Sequence, residues 1–424
     1  MRSRRRSLVR VGALGGAVAL LAACNSSSSS QPLPQGLTGG ASASPAAAAP
    51  AVVTVADQAR GFVHDQVTDS DAGARTTLAP APGSFLAGKT KVSYLASTTP
   101  DNGDENPYAI WPVTVTAGSV KAGDVLVDNF NNKSNNQGTG TTIVNVHPDG
   151  STDVFADLSK EKTTCPGGIG LTTAMVQLKA GWVIVGSLPS TDGQMTTAGA
   201  GCLLFLSPEG HVVETLSGPL INGPWDAAVA DQGDTATLFV TNTLVDLDHS
   251  ATAKAKAANV VRLNLAQTAD SPPKLTDGTV VADGFPEAGD ASAFVKGPTG
   301  LALGSNGTLY MANNLANNIV SIPNAVTRTD SAGTGTVLTK DGQLANPLGL
   351  AIAPNGNLLT ANAINGKIVE ITPAGQQVGE FYAIENVGQD PPGNGDLFGI
   401  AINQAGTGVL FVKDDENSLA LLSS

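Results

Sequence analysis

The chain has 424 residues, 49 of them glycine, with 14% charged and 4% aromatic side chains and a formal net charge of −13. An acidic balance of this size argues against nucleic acid as a partner and against charge-driven docking on anionic lipid headgroups. It leaves open cationic ligands, metal ions or plain solubility. After the first two dozen residues no run is apolar for long enough to span a bilayer.

Five arginines (Arg2, Arg4, Arg5, Arg6, Arg10) precede the apolar run Val11–Ala23, which is short for a membrane span and has the length of a secretory signal core. The run closes on Leu21-Ala22-Ala23-Cys24, which resembles the bacterial lipobox; the resemblance implies cleavage before Cys24, acylation and membrane anchoring. An ordinary secretory signal with an incidental cysteine is the alternative. Ser3-Arg4-Arg5-Arg6-Ser7-Leu8 also resembles a twin-arginine export signal, so the export route stays open. Residues 1–23 therefore read as a signal peptide. Residues 24–51, rich in Ser, Gln, Pro, Gly and Ala, read as a tether with too little apolar surface to fold. The expected location is extracytoplasmic, on the periplasmic or cell surface, with the lipid anchor as the membrane partner. Without residues 1–23 the chain keeps 18 Lys and Arg against 36 Asp and Glu. Two cysteines remain besides Cys24. Cys165 and Cys202 are either a disulfide, as an oxidising compartment permits, or two buried thiols.

Residues 52–106 form an N-terminal segment, and from 107 onward the chain repeats. Three copies align almost without gaps: Gly297 to Asn313, Asn346 to Asn362, and Leu397 to Asp414. A looser copy starts at Gly223-Pro224-Trp225-Asp226, and two degenerate ones begin near Pro107 and Gly167. Each reads as short strands. Leu350–Ala353 and Leu358–Ala361 are separated by Pro354-Asn355-Gly356, a tight-turn signal. A third strand (Thr142–Val146, Leu203–Leu206, Val260–Leu265, Ile319–Ile322, Lys367–Ile371) and a fourth (Asp153–Ala156, Val212–Leu216, Gln377–Phe381) follow. Four antiparallel strands per unit, repeated radially, predict an all-β, six-bladed β-propeller over 107–424. The last unit has room for three strands only, so Lys91–Leu95 is expected to supply the fourth and close the ring.

The pattern Pro-x-Gly-Leu-Ala, Asn-Gly-x-Leu, Asn-x-Ile, Pro-x-Gly resembles NHL-type repeats and the wider six-bladed group of gluconolactonase-like and strictosidine-synthase-like proteins. It does so well over 297–424 and loosely over 107–296. The resemblance implies that second-to-third-strand loops and blade-to-blade connections share one face around the central channel. Those loops are short in the last three blades (314–318, 363–366, 415–417) and long in the first three (130–140, 188–200, 243–258). The asymmetry predicts a cleft over the channel, against the plainer reading of tolerated insertions.

Second strands end in Asn129, Asn242, Asn313, Asn362 and Asp414, and Asp226 stands where other blades have Gly300, Gly349 and Gly399. Oxygens converging on a channel mouth suit Ca²⁺ or another hard divalent cation, and in gluconolactonase-like enzymes such a metal polarises the substrate carbonyl. Strand-end Asn and Asp equally serve as turn caps. Trp225 can stack on a ligand or pack between blades, as can Trp111 and Trp182. His249 lies beside Asp246 and Asp248, His64 lies before the repeats, and His147 and His211 flank turns on the opposite face. No G-x-S-x-G, H-E-x-x-H, C-x-x-C or P-loop is present, nor the pattern of the streptogramin-lyase branch with its catalytic histidine. Two readings follow. One is a lipid-anchored binding or scaffold protein that meets an envelope protein, peptide or glycan through its channel face. The other is a metal-dependent hydrolase or lyase resembling the gluconolactonase group.

Overall fold

The computed structural model describes residues 78–245, 254–290, 293–385 and 388–424. All belong to one compact unit. Cys24, the signal, the tether, His64 and the Asp246, Asp248 and His249 cluster lie outside the described residues.

The described residues form six antiparallel blades in sequence order, each of four strands, with a short fifth strand added to blade 3. Their inner strands are Glu105–Pro112, Leu171–Gln177, Pro224–Asp231, Pro298–Leu303, Pro347–Ile352 and Leu397–Ile402. In blade 6 the outer strand is Lys91–Ser97, which pairs antiparallel with Ser418–Ser423 (Lys91↔Ser423, Ser97↔Ser418). The first and last described strands thus share one sheet, and the open edges that a three-stranded blade would leave are consumed. The closure reaches further than the expected 91–95. Upstream, Leu78 and Ala81 hydrogen-bond along the outer strand of blade 5 (Leu78 O to Glu380 N 3.0 Å, Ala81 N to Val378 O 2.8 Å). The fully buried Glu370 carboxylate accepts the N–H groups of Phe85 and Leu86 at 2.7 and 2.9 Å.

Blade 3 departs from the sequence reading. Its third strand begins at Lys254 and its fourth runs over Ser271–Asp290, so part of the expected 243–258 loop is strand. This hairpin rises past the second strand, whose pairing stops at Asn242↔Asn259. A short fifth strand, Phe294–Lys296, folds back onto it.

Every inner strand slips register within its first residues, at Pro107/Ile110, Leu171/Met175, Pro224/Ala227, Pro298/Leu301, Pro347/Leu350 and Leu397/Ile400. A bulge bends the strand and re-aims its side chains. Here six bulges bring the inner strands very close together. A Cβ on Gly300 would lie 2.2 Å from Leu348 O, and one on Gly399 would lie 1.9 Å from Tyr108 O. Glycine at these positions is a requirement of blade-to-blade contact.

Candidate functional site

The residue after each bulge's first position comes from a different blade, and four of them (Tyr108, Trp225, Leu348, Phe398) join one buried apolar cluster with Phe130 and Phe294. Tyr108 stacks on Phe398 at 4.8 Å between ring centroids and meets Trp225 and Phe130 edge-on at 6.0 Å. Such pairs contribute about 0.5–1.5 kcal/mol each beyond burial. Trp225 is thus packing, 3% exposed, and Trp182 is core as well.

The expected cleft over the channel is filled. The long blade-2 loop sends Leu188 and Met195 into the same cluster, and the connection after blade 3 sends Ala293, Phe294 and Val295. Ser190 ties this loop to the blade-1 loop, through its N–H to Gly138 O at 2.8 Å and its hydroxyl to Gln137 O at 2.6 Å. The long loops fold inward because they carry large apolar residues, which are more stable over the aromatic cluster than in water.

Beneath this lid a cavity of about 250 Å³ runs between the inner strands. Its walls include Ile110, Met175, Leu301, Leu350 and Ile400, with Asp226 the one carboxylate among the lining residues. Exposure rises along the strands: Leu350 and Ile400 are buried, and Ile352, Ile402 and Pro112 are half-buried. The channel therefore opens on the face of the first-to-second-strand turns and is blind at the aromatic end.

Asp226 sits near the blind end. Its Oδ1 accepts Ala227 N–H at 2.7 Å and its Oδ2 accepts Leu301 N–H of the next blade at 2.9 Å, the bridge that a glycine cannot make. It is half-buried, and its accessible surface belongs to the channel. Burial pushes its carboxyl up to about 7, against the pull of the two N–H donors. Asp128 is fully buried in the second strand of blade 1 and accepts Ala109 N–H at 2.8 Å; its Oδ2 has no partner. Burial, helped by the charge of Asp226, pushes it up to about 8. Burial and the charges of Asp226, Asp414 and Asp128 push the Tyr108 phenol far up. Trp225 Nε1 stands close enough to ease that ionisation, yet neither Tyr108 Oη nor Trp225 Nε1 meets the geometry of a formed hydrogen bond.

The strand-end amides brace the blade-to-blade connections. Asn242 Oδ1 accepts Asn222 N–H at 3.2 Å while its Nδ2 donates to Leu220 O at 2.9 Å. Asn362 repeats this with Ala345 N–H at 3.1 Å and Gln343 O at 2.7 Å. Asn313 Oδ1 accepts Ala316 N–H at 3.2 Å. With Asp226, four of the six oxygen donors expected at the mouth are thus committed to backbone. Among the described residues no group of three or more His, Cys, Asp or Glu side chains is placed to hold a metal ion. The six do not fit a divalent ion over the channel. Asn129 and Asp414 are left over: Asn129 donates to Thr98 O at 2.9 Å with its Oδ1 unpartnered, and burial pushes the Asp414 carboxyl well up.

Elsewhere, Cys165 and Cys202 form a disulfide that ties the entry of blade 2 to its third strand. His147, on the opposite face, is held between Asp124 and Asp153 at 3.0 Å each, and His211 meets Glu161 at 3.0 Å. The sequence reading missed Asp128 and Tyr108. The available signal was a lone carboxylate inside Val125–Asn131, where every residue is buried.

No family model matches the chain, and no curated protein matches it. Solved structures do. A gluconolactonase from Xanthomonas campestris is 13% identical, with 82% of this chain and 93% of that chain covered and a TM-score of 0.49. A putative gluconolactonase is 13% identical over 82% and 97%, with a TM-score of 0.48. The calcium-binding protein regucalcin from Agrobacterium tumefaciens is 10% identical over 74% and 90%, with a TM-score of 0.44. At such identities the likeness concerns the propeller fold alone.

Proposed function

We propose that the chain is a lipid-anchored, extracytoplasmic propeller that binds a small molecule in its central channel, with Asp226 as the polar contact at the blind end. The carrying observation is Asp226 itself, a carboxyl with accessible surface at the closed end of a channel of about 250 Å³ lined by apolar side chains and by polar backbone and hydroxyl groups. A dry apolar cavity of roughly 150 Å³ is already enough for a benzene-sized guest. Apolar side chains with a few placed polar groups are the usual make-up of a ligand site. The preferred ligand is a compact amine. An ammonium compensates the Asp226 charge, and the overall charge of −13 favours cations in solution. An envelope peptide, protein or glycan that presents such a group fits the same channel. The anchor rests on Val11–Ala23 and Cys24, and the Cys165–Cys202 disulfide suits an oxidising compartment.

Thermal melts of the full chain with benzylamine, cyclohexylamine and their neutral counterparts benzyl alcohol and cyclohexanol test this reading. Ligands of the folded state raise the midpoint by mass action. The amines should raise it more than the alcohols, and Asp226→Asn should remove the difference. No shift with any of the four sinks the channel as a site for these molecules.

A second reading, a hydrolase or lyase resembling the gluconolactonase group, is favoured by the Asp226 value of about 7, which lets one carboxyl both accept and return a proton near neutrality. Turnover in a lactone and ester panel that vanishes in Asp226→Asn would establish it.

A further inference from the structure

The seam where blade 6 meets blade 1 gathers oxygens without donors. Thr98, just past the closing strand, takes Asn417 O through its N–H at 2.9 Å, and Asn106 N–H donates to Asn417 Oδ1 at 2.7 Å. Asn129 reaches Thr98 O at 2.9 Å, and Ser418 pairs with Ser97. Asn417 N–H closes back on Asp414 O at 2.9 Å, so all these residues share one neighbourhood. Within it Thr98 Oγ1, Asn106 Oδ1, Asn129 Oδ1 and Ser418 Oγ are buried and unpartnered. Thr98, Asn129 and Ser418 are at most 0% exposed as whole residues.

The contrast with other blades is informative. The equivalent oxygens of Asn242 and Asn362 accept backbone N–H groups, whereas that of Asn129 does not. Negative charge accumulates at the same place. Asp414 is 6% exposed, within electrostatic reach of Asp396, Asp415 and Glu105, and neither Asp414 nor Glu105 forms an ion pair among the described residues. Buried acceptors ordinarily find a partner, and a buried carboxylate ordinarily finds a cation.

We propose that this seam holds a hard metal cation of the calcium class, bound by Asp414 with the side-chain oxygens of Asn129, Asn106, Thr98 and Ser418. Amide, hydroxyl and carboxylate oxygens are the donors such an ion takes. The site lies where the ring closes, and its role is to fasten the first and last described strands, Lys91–Ser97 and Ser418–Ser423.

The test is a thermal melt of the full chain after chelation, then with calcium, magnesium, sodium or potassium added singly, together with terbium luminescence sensitised by the nearby aromatic cluster. Calcium should raise the midpoint by several degrees and terbium should light up and be displaced by calcium. Asp414→Asn should erase the calcium response. Asn129→Ala should weaken that response, and Asp226→Asn should preserve it. The proposal is overturned if no ion moves the midpoint, if Asp414→Asn keeps the full response, or if Asp226→Asn abolishes it.

Discussion

Asp128 is an acid held where water cannot solvate its charge, and the sign of the consequence follows. A carboxyl raised in the folded state stabilises fully below its unfolded value near 3.8, and that contribution is lost as pH climbs through the folded value, about 8 for Asp128. Asp128→Asn keeps the acceptor for Ala109 N–H and removes the ionisable proton. Relative to the parent it should gain stability steadily between pH 4 and pH 8, read by urea unfolding at both ends. His147 runs the other way. Asp124 and Asp153 hold its pKa up, so its contribution is complete below the unfolded value and fades as pH rises through the folded one. His147→Asn should therefore cost more at pH 5 than at pH 9 in the same assay. A cost that grows with pH would contradict the assignment.

At the scale of the element, the bulged start of the inner strand organises the molecule. It delivers one side chain per blade toward its neighbours and brings adjacent backbones into contact that only glycine tolerates at Gly300 and Gly399. Gly399→Ala forces a Cβ to within 1.9 Å of Tyr108 O and should destabilise by more than about 3 kcal/mol, measured by chemical denaturation. Strands and turns were legible in sequence because Pro-x-Gly starts and Asn-Gly turns are local signals. The bulges were not, since a register slip depends on a partner strand. Asn242 and Asn362 could be located at strand ends but not assigned, because the same amide oxygen serves a backbone N–H or an ion equally well. The filled mouth was illegible for a different reason. Leu188, Met195 and Phe294 meet Tyr108 and Phe398 only once the ring has closed.

For the whole molecule, closure is a clasp of residues 78–97 spanning two blades. Glu370, fully buried, accepts two clasp N–H groups and the side-chain amides of Asn355 and Asn357. Glu370→Ala should cost about 2–4 kcal/mol, since hydrogen bonds to a charged acceptor are among the stronger ones, and should open the chain to proteolysis between 78 and 90. Protection equal to that of the parent would mean that the clasp is held elsewhere. The same closure fixes the channel: the six inner strands leave a space blind at the aromatic end, and the glycine position of blade 3 places a carboxyl inside it. Asp226 was legible in sequence as the exception among Gly300, Gly349 and Gly399, although its setting below the lid was not.

The most direct measurement of that central claim is calorimetric titration of the full chain with benzylamine at pH 8, where the amine is charged and the Asp226 carboxyl is ionised. The account predicts saturable one-to-one binding that weakens at least tenfold in Asp226→Asn while the fold stays intact. Absence of heat with the parent, or equal affinity in the variant, would contradict it.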